Sequence, residues 1–468
     1  MMSRRTAILG TAVLPISALP LAGMQQPIDC RYVTPEQLGW TAETTPRETA
    51  KIINQALQIA RETGVTYFDN AERRIAGTIR LGGKVNIEFG SKHVWRVDYR
   101  DLSVFDKISN TEKSIFVDLA YAAGSNIRGS MKLVAANPKN MSLNERRKIP
   151  KDLVALSSSM PPPSSEISIE QINIVGFGYG LHKPDNDLKK RPLNLPFTRM
   201  NIGIAAIQYC IEAISTGNQA NGFDDAVFQI LRLARNCGNS VIHGTELNIT
   251  SFFNYGLNFK ADVEPGFIQL RAGSHYAQIP TDSLLSTGMT VVAIGAGEKI
   301  RTGRRHFTTK VLERNEGDLL LEDTPEYDFN GPFIASPPSF TLEKSGINSL
   351  HIYIEGVHDF PIQLQNGSKI STLDFKVSGG DFAGRSNYAI AVTGPATSVD
   401  LHLNAHTART QWAKGYVGIF AANANPSGRI VTGLPFKAGH LVGDARPAQL
   451  RSSTFKSSIV LPSGLSDR

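Results

Sequence analysis

The chain has 468 residues, of which 41% are hydrophobic and 19% are charged, and its formal net charge is +7. This composition is typical of a water-soluble globular protein, and the positive balance favours acidic partners such as an acidic polysaccharide. Lys and Arg form no long run anywhere in the sequence, which argues against a nucleic-acid partner.

The first 23 residues have the pattern of an export signal. Arg4 and Arg5 precede an apolar stretch over residues 7–22, and small residues then lead into polar sequence. Residues 3–6 resemble a twin-arginine signal, and both this export route and the general one stay open. No later segment is long and apolar enough to span a bilayer. We therefore expect a protein of the periplasm or the cell exterior that has no transmembrane segment.

One amphipathic helix is predicted soon after this signal. Thr45 and Glu48 form a capping box around Pro46, which occupies the first helical position. The helix then presents one apolar face and ends before Gly64. That apolar face consists of Ala50, Ile53, Ala56, Leu57 and Ala60. Short predicted strands follow directly, at residues 65–68, 77–81, 84–90 and 93–97.

Residues 56–90, with the sequence ALQIARETGVTYFDNAERRIAGTIRLGGKVNIEFG, resemble the first coils of the pectate-lyase-like superfamily. The resemblance implies an all-β fold, a right-handed parallel β-helix whose open end is covered by the N-terminal helix. It implies this architecture for roughly residues 35–430. Members of the superfamily are mostly polysaccharide lyases, hydrolases or epimerases, and phage tailspike depolymerases look similar. The resemblance therefore implies a polysaccharide partner.

Three stretches in the second half of the chain repeat one pattern of alternating apolar residues. They read LHIYIEG at 350–356, LDFKVSG at 373–379 and VDLHLNA at 399–405. A single strand-and-turn unit cannot bury its own apolar face, so such units stack and their inward side chains lie over one another. The repeat therefore predicts a solenoid of stacked parallel strands.

Residues 266–334 interrupt the repeat. They form short apolar runs separated by turn sequences at Gly297, Gly303 and residues 315–317, which is typical of antiparallel strands. We interpret them as a small antiparallel β insertion in a loop of the solenoid. The predicted division is an export signal at 1–23, a capping helix with the first coils at 35–265, the insertion at 266–334, C-terminal coils at 335–431 and a tail at 432–468.

The outward residues of the three repeats form the predicted functional site. If the apolar residues point inward, the residues between them stack across neighbouring strands about 4.8 Å apart. The predicted rows are His351, Asp374 and Asp400, then Tyr353, Lys376 and His402, and then Glu355, Ser378 and Asn404. So many ionisable groups are unusual for a sheet face that is merely solvated, although a charge-balanced face without a ligand is the alternative.

Roles follow from the chemistry of these side chains. The predicted catalytic residues are Asp374, Asp400, Lys376 and His402. The predicted substrate-binding residues are His351, Tyr353, Glu355, His358, Asp359, Asp381, Arg385, Arg304 and Arg305. His358 and Asp359 follow the first repeat and would extend a groove, while the arginines would grip the carboxylates of an acidic glycan.

Two reactions fit this predicted site. Two adjacent carboxylates repel each other, so one has a raised pKa and can protonate a glycosidic oxygen during hydrolysis. Alternatively, the pair holds a divalent cation such as calcium while Lys376 or His402 removes the proton next to a sugar carboxylate, which gives elimination. Two further alternatives are a glycan-binding solenoid without activity and a structural, homotrimeric tail or envelope protein.

The cysteines do not form a disulfide framework. Cys210 and Cys237 lie 27 residues apart, close to the repeat interval. They would form either one bridge between neighbouring coils or, as we expect, two buried thiols.

Overall fold

In the computed structural model the described residues are 31–432 with 459–460, apart from internal segments. Those segments are 109–110, 136–147, 160–165, 184–196, 217–222, 244–246, 258–261, 298, 301–302, 305, 344–345, 357, 360–361, 366–367, 378–387, 394–397, 406–417 and 423–424. From residue 369 onward, and at a few strand residues before it, the description covers the backbone only. The predicted export signal lies outside the described residues, as does the predicted tail except for residues 432 and 459–460.

The protein is mostly β with large parallel sheets, as predicted. The long sheet has fifteen parallel strands. Thirteen of them follow one another in the order Tyr32–Val33, Thr66–Asp69, Asn86–Phe89, Asn126–Val134, Ser168–Val175, Asn201–Gln208, Ala226–Ala234, Leu247–Tyr255, Gly346–Glu355, Lys369–Val377, Ser398–Ala405, Asn425–Thr432 and Ile459–Val460. The other two, Glu72–Ile75 and Val94–Val97, pair with each other beside this path.

A second parallel sheet has ten strands. Their order is Ile79–Arg80, Ser114–Asp118, Leu153–Ser157, Tyr179–His182, Glu212–Ser215, Asn239–His243, Ser339–Glu343, Ile362–Gln365, Tyr388–Thr393 and Gly418–Ala422. From Asn126 to Thr432 the chain alternates between strands of the two large sheets, and the insertion is the longest interruption of this alternation among the described residues. A pair of two-residue strands, Phe197–Thr198 and Phe223–Asp224, completes the parallel part.

The core of this part consists of apolar side chains that lie over one another from strand to strand. Ile172, Ala205, Leu231, Phe252 and Ile352 occupy successive paired positions of the long sheet, and all are buried. Equivalent positions in each strand therefore bury one another, which is the stacking that the sequence repeat predicts.

The predicted capping helix runs over Pro46–Thr63, and its capping box is present. The side chain of Thr45 accepts a hydrogen bond from the backbone N–H of Glu48, and the Glu48 carboxylate accepts one from the backbone N–H of Thr45. Gly64 ends the helix with a φ of 75°, a left-handed conformation that glycine adopts without strain. The predicted apolar face is buried against the first strands. Two short 3-10 helices, Glu36–Leu38 and Leu102–Val104, flank this region. No helix within the described ranges is long and apolar enough to cross a membrane.

A buried network of Tyr67, Asp69, Arg73, His93 and Trp95 lies beside the helix. The Asp69 carboxylate accepts hydrogen bonds from Arg73 Nε at 2.9 Å, Trp95 Nε1 at 2.8 Å and Tyr67 Oη at 3.1 Å. His93 Nδ1 lies 3.7 Å from the same carboxylate. Burial raises the pKa of Asp69, but His93 and Arg73 outweigh it and lower the pKa to about 2. We refer to these five residues as the buried network.

Residues 268–335 contain a seven-stranded antiparallel sheet. The strand order is Phe329–Gly331, Ile268–Leu270, Tyr276–Gln278, Asp318–Leu321, Phe307–Asn315, Thr290–Ala293 and Phe333–Ala335. A small hairpin of Lys299–Ile300 and Gly303–Arg304 extends from it. This inserted sheet has an apolar core of its own, separate from that of the parallel sheets.

Candidate functional site

The first two predicted repeats pair in the expected register. His351 lies opposite Asp374, and Tyr353 lies opposite Lys376. Leu350, Ile352 and Ile354 are buried, whereas His351 is exposed and Tyr353 is half-buried. Because side chains alternate along a strand, His351 and Tyr353 face away from the core, on the outer face of the long sheet.

The third repeat is displaced from its predicted position. Ile370 pairs with Val399, but Leu373 pairs with Leu401, so two residues of one strand lie opposite Asp400 alone. This is a β-bulge, which absorbs one extra residue and shifts the pairing beyond it. Beyond the bulge Asp374 pairs with His402, two residues past the predicted partner Asp400. The first two members of each predicted row are paired as expected, but the third members are wrong: Asp400 does not lie beside Asp374, and His402 does not lie beside Lys376.

The middle of the corrected row is a carboxylate position between two imidazole positions. It contains Ser251, His351, Asp374, His402 and Arg429 at successive paired backbone positions. Asp400 lies opposite Ser427 on its other side. The expected repulsion between two neighbouring carboxylates no longer applies to this register, and each neighbour of Asp374 in the row is a histidine position.

An aromatic group occupies the outer face next to this row. The ring centroids of Phe253 and Tyr353 are 5.9 Å apart, and those of Tyr255 and Tyr353 are also 5.9 Å apart. Phe253 and Tyr255 are stacked at 6.4 Å with an angle of 8° between their planes. All three rings are half-buried, so each keeps part of its surface open to solvent. We call Phe253, Tyr255 and Tyr353 the aromatic group.

A cation lies at the edge of the aromatic group. The Arg232 guanidinium carbon is 5.3 Å from the centroid of the Phe253 ring, and Arg232 is otherwise exposed. Arg232 and Phe253 are paired positions in adjacent strands, as are Phe253 and Tyr353. A stacked guanidinium keeps N–H groups available for a carboxylate, so the face offers apolar rings and a charged donor side by side.

Sequence reasoning missed Phe253, Tyr255 and Arg232. The sequence alternation misleads here, because Phe253 and Tyr255 have the same phase as the buried Leu247 and Ile249 but lie on the outer face. The insertion also separates this strand from Gly346–Glu355, although the two are neighbours in the sheet.

Several predicted site residues cannot be placed by their side chains. Glu355 pairs with Tyr255 through the backbone, and Arg304 belongs to the short strand Gly303–Arg304. Asp381, Arg385 and Arg305 lie outside the described residues.

His358 does not face the predicted groove. The residue is 0% exposed, and its Nδ1 lies 3.2 Å from the carbonyl oxygen of Gly356. Burial lowers the pKa of His358 to about 4. The prediction that His358 contacts substrate at the surface is therefore wrong, because the turn after Glu355 folds inward.

Asp359 does not extend the groove of the outer face as predicted but lies in a cleft between the second sheet and the inserted sheet. It is 8% exposed and accepts a hydrogen bond of 2.9 Å from the Thr290 hydroxyl of the inserted sheet. The cleft has a volume of about 370 Å³ and is lined mainly by apolar side chains together with Glu212, Lys151 and Asp359. Burial raises the pKa of Glu212, against the opposing effects of Lys113 and Ser215. A carboxyl group of this kind can donate a proton, so the cleft is a second place where acid chemistry is possible.

The two cysteines border the same cleft as thiols and not as a disulfide. The backbone N–H of Cys237 donates to the carbonyl oxygen of Cys210 at 2.9 Å, so the two residues are adjacent. Cys210 is buried as predicted, whereas Cys237 is only half-buried. Burial raises the pKa of Cys210 to about 12, which keeps this thiol protonated.

A metal site was expected from the pair Asp374 and Asp400. Within the described part of the chain, no group of three or more His, Cys, Asp or Glu side chains is placed to bind a metal ion. The side chains of Asp374 and Asp400 are not among those described, so the calcium site stays a prediction.

Comparison with known proteins gives no match. No protein-family model, no curated protein and no solved structure is significantly similar to this chain.

Proposed function

We propose that this protein is an exported right-handed parallel β-helix that binds an acidic polysaccharide along the outer face of its long sheet and cleaves it there. The alternation of successive strands between two parallel sheets supports the β-helix. The single observation that carries the functional proposal is the aromatic group of Phe253, Tyr255 and Tyr353 with Arg232 at its edge.

Half-buried aromatic rings on a sheet face suit a sugar ligand. Sugar rings have apolar C–H faces that stack on aromatic rings, and rigid rings lose little conformational entropy on binding. A long face built from equivalent strands also matches an extended chain, since neighbouring strands repeat about every 4.8 Å.

The charges on this face favour an acidic glycan. Arg232 and His351 are exposed, and the backbone register adds the positions of Lys376, His402 and Arg429 to the same face. The formal net charge of +7 acts in the same direction over longer distances.

Cleavage is assigned to the strands Lys369–Val377 and Ser398–Ala405. In elimination, Lys376 or His402 takes the proton on the carbon next to the sugar carboxylate, a double bond forms to the adjacent carbon, and the bond from that adjacent carbon to the linkage oxygen breaks. The leaving oxygen is protonated by a neighbouring acid. In hydrolysis, Asp374 and a second acid act with water on the same linkage, but the bond between the linkage oxygen and the anomeric carbon breaks, and the sugar product is saturated. The rival to both is a glycan-binding solenoid without activity, which needs only the aromatic group and the cations.

A panel of uronate-containing polysaccharides tests this proposal. New ultraviolet absorbance identifies elimination, new reducing ends without that absorbance identify hydrolysis, and retained binding with intact polymer identifies the non-catalytic rival. Asp374→Asn and Lys376→Ala should abolish cleavage while binding persists.

Tyr353→Ala is the test of the binding face, and Tyr121→Ala is its matched control. Tyr121 is 56% exposed and lies in a turn after a strand of the second sheet. Loss of binding in both variants, or in neither, would contradict the assignment of the outer face.

A further inference from the structure

The inserted sheet has a polar groove on the face opposite its apolar core. Leu270, Ala277 and Leu319 point into that core and are buried. Gln269, Gln278 and Asp318 alternate with them and point outward. One face of the inserted sheet is therefore buried in its core, and the other face is exposed to solvent.

The groove consists of two adjoining, open concavities that share lining residues. Its larger part has a volume of about 660 Å³, and an adjoining part has about 430 Å³. Gln269, Gln278 and Asp318 line both parts. Because the same row of side chains lines both parts, the groove suits an elongated ligand.

That row consists of planar hydrogen-bonding groups at paired positions. Gln269 lies opposite Gln278, and Gln278 lies opposite Asp318, in three adjacent strands. The Gln278 Nε2 donates to Asp318 Oδ1 at 3.2 Å, which orients both side chains. An amide offers donors and acceptors together, and a carboxylate offers acceptors, so the row can bind paired hydroxyl groups.

Exposed aromatic rings border the groove. Tyr276 is 70% exposed in the larger part, and Phe267 is 57% exposed in the smaller part. Among the described residues five large apolar or aromatic side chains are strongly exposed, and four of them belong to the insertion: Phe267, Tyr276, Leu312 and Tyr327. Two of these four, Tyr276 and Phe267, line the groove, so exposed aromatic surface and the polar row lie together there.

The charge of the groove differs from that of the outer face. Its charged lining residues are Arg271, Glu313 and Asp318, which sum to one negative charge. A ligand with many carboxylates would be repelled here, whereas a neutral ligand rich in hydroxyl groups would not.

We propose that this groove is a second saccharide site, specific for a neutral oligosaccharide, whose rings stack on Tyr276 and Phe267 and whose hydroxyl groups bind Gln269, Gln278 and Asp318. The site does not depend on the proposed cleavage of an acidic glycan. It would give the chain two sugar specificities on separate modules.

Titration calorimetry of the full chain with neutral hexasaccharides tests this inference. The probes are the glucose, xylose and N-acetylglucosamine hexamers, with hexagalacturonate as the acidic comparison. At least one neutral hexamer should bind, and Tyr276→Ala and Gln278→Ala should each weaken that binding about tenfold. Tyr327→Ala is the matched control, because Tyr327 is an exposed aromatic residue of the insertion that does not line the groove.

The outcomes separate the two proposed sites. Tyr353→Ala should leave neutral binding intact, and Tyr276→Ala should leave binding of the acidic hexamer intact. Failure of every neutral hexamer to bind overturns the inference, as does wild-type affinity in both groove variants. If hexagalacturonate binds more strongly than every neutral hexamer and Tyr276→Ala weakens that binding, the proposed specificity for a neutral ligand is overturned. Thermal unfolding of each variant verifies that the exposed substitutions leave the fold intact.

Discussion

The buried network beside the capping helix and the aromatic group on the outer face use the same kinds of side chain to opposite effect. In the buried network, Asp69 accepts hydrogen bonds from Tyr67, Arg73 and Trp95 and from the backbone N–H of Ala71. The Arg73 guanidinium carbon lies 3.9 Å from the centroid of the Trp40 ring. On the outer face, Arg232 stacks on Phe253 at 5.3 Å but keeps its charge in water. Both regions combine rings and guanidinium groups, and only their burial differs.

This difference indicates how to separate structural from functional clusters. A buried charge requires an internal partner, and Asp69 and Arg73 supply one for each other with both side chains closed off from solvent. A half-exposed ring beside an exposed cation retains both apolar surface and donors for a partner.

Asp69→Asn should destabilise the protein by about 3–5 kcal/mol. The substitution removes the charge that faces Arg73 in a site where both side chains are 0% exposed. Urea unfolding followed by tryptophan fluorescence measures the change. A loss below about 1 kcal/mol would contradict the structural role of the buried network.

Stability should fall as the pH drops from about 6.5 towards 3. Burial lowers the pKa of His182 to about 3, with a further contribution from Lys113, and burial lowers the pKa of His93 and of His358 as well. Because the unfolded state takes up these protons first, the stability present above pH 6.5 is lost as the pH falls below it. Asp69 contributes stability above about pH 4 that is lost as the pH approaches 2.

His182→Phe isolates one part of this acid sensitivity. Within the described part of the chain neither ring nitrogen of His182 has a hydrogen-bond partner, and its ring centroid lies 5.0 Å from that of Tyr179. Phe retains the ring contact and cannot be protonated, so the variant should be about 3 kcal/mol more stable than the original chain at pH 4. At pH 8 the two should differ little. Equal acid sensitivity in both chains would exclude His182 as a cause.

Tyr353→Ala should weaken acidic-glycan binding about tenfold, which corresponds to about 1.4 kcal/mol. The ring contacts both Phe253 and Tyr255, so its loss opens the middle of the aromatic group. Affinity electrophoresis in a gel that contains the polysaccharide measures the change. Tyr353→Ala should lower the free energy of unfolding by less than Asp69→Asn does. A larger loss in Tyr353→Ala than in Asp69→Asn would show that Tyr353 has a mainly structural role.

Arg47→Ala should change stability by less than about 1 kcal/mol. Arg47 pairs with Asp101 at the start of the helix, but the two side chains are 62% and 47% exposed. This variant is the exposed counterpart of Asp69→Asn, measured in the same urea titration. If Arg47→Ala lowered the free energy of unfolding as much as Asp69→Asn, burial would not explain the difference between the two ion pairs.

Much of the local structure followed from short-range rules. The capping box of Thr45 and Glu48, the end of the helix at Gly64 and the inward position of Ile352 depend on residues within a few positions of each other. Their physical causes are hydrogen bonds to free backbone groups, the conformational freedom of glycine and the two-residue period of a strand. The sequence carries these signals directly, so the helix, the strands and the outward direction of His351 and Tyr353 were predictable.

The neighbours of each side chain were decided only by the tertiary structure. A register two residues away from the predicted one places His402 opposite Asp374, His358 is buried, and the insertion separates Phe253 and Tyr353 in sequence although they are adjacent in the sheet. Each of these depends on how one strand lies beside the next, and the stacking energy is summed over the whole sheet. Alternation along one strand predicts which face of the sheet a side chain occupies. The pairing between strands determines which residues are its neighbours.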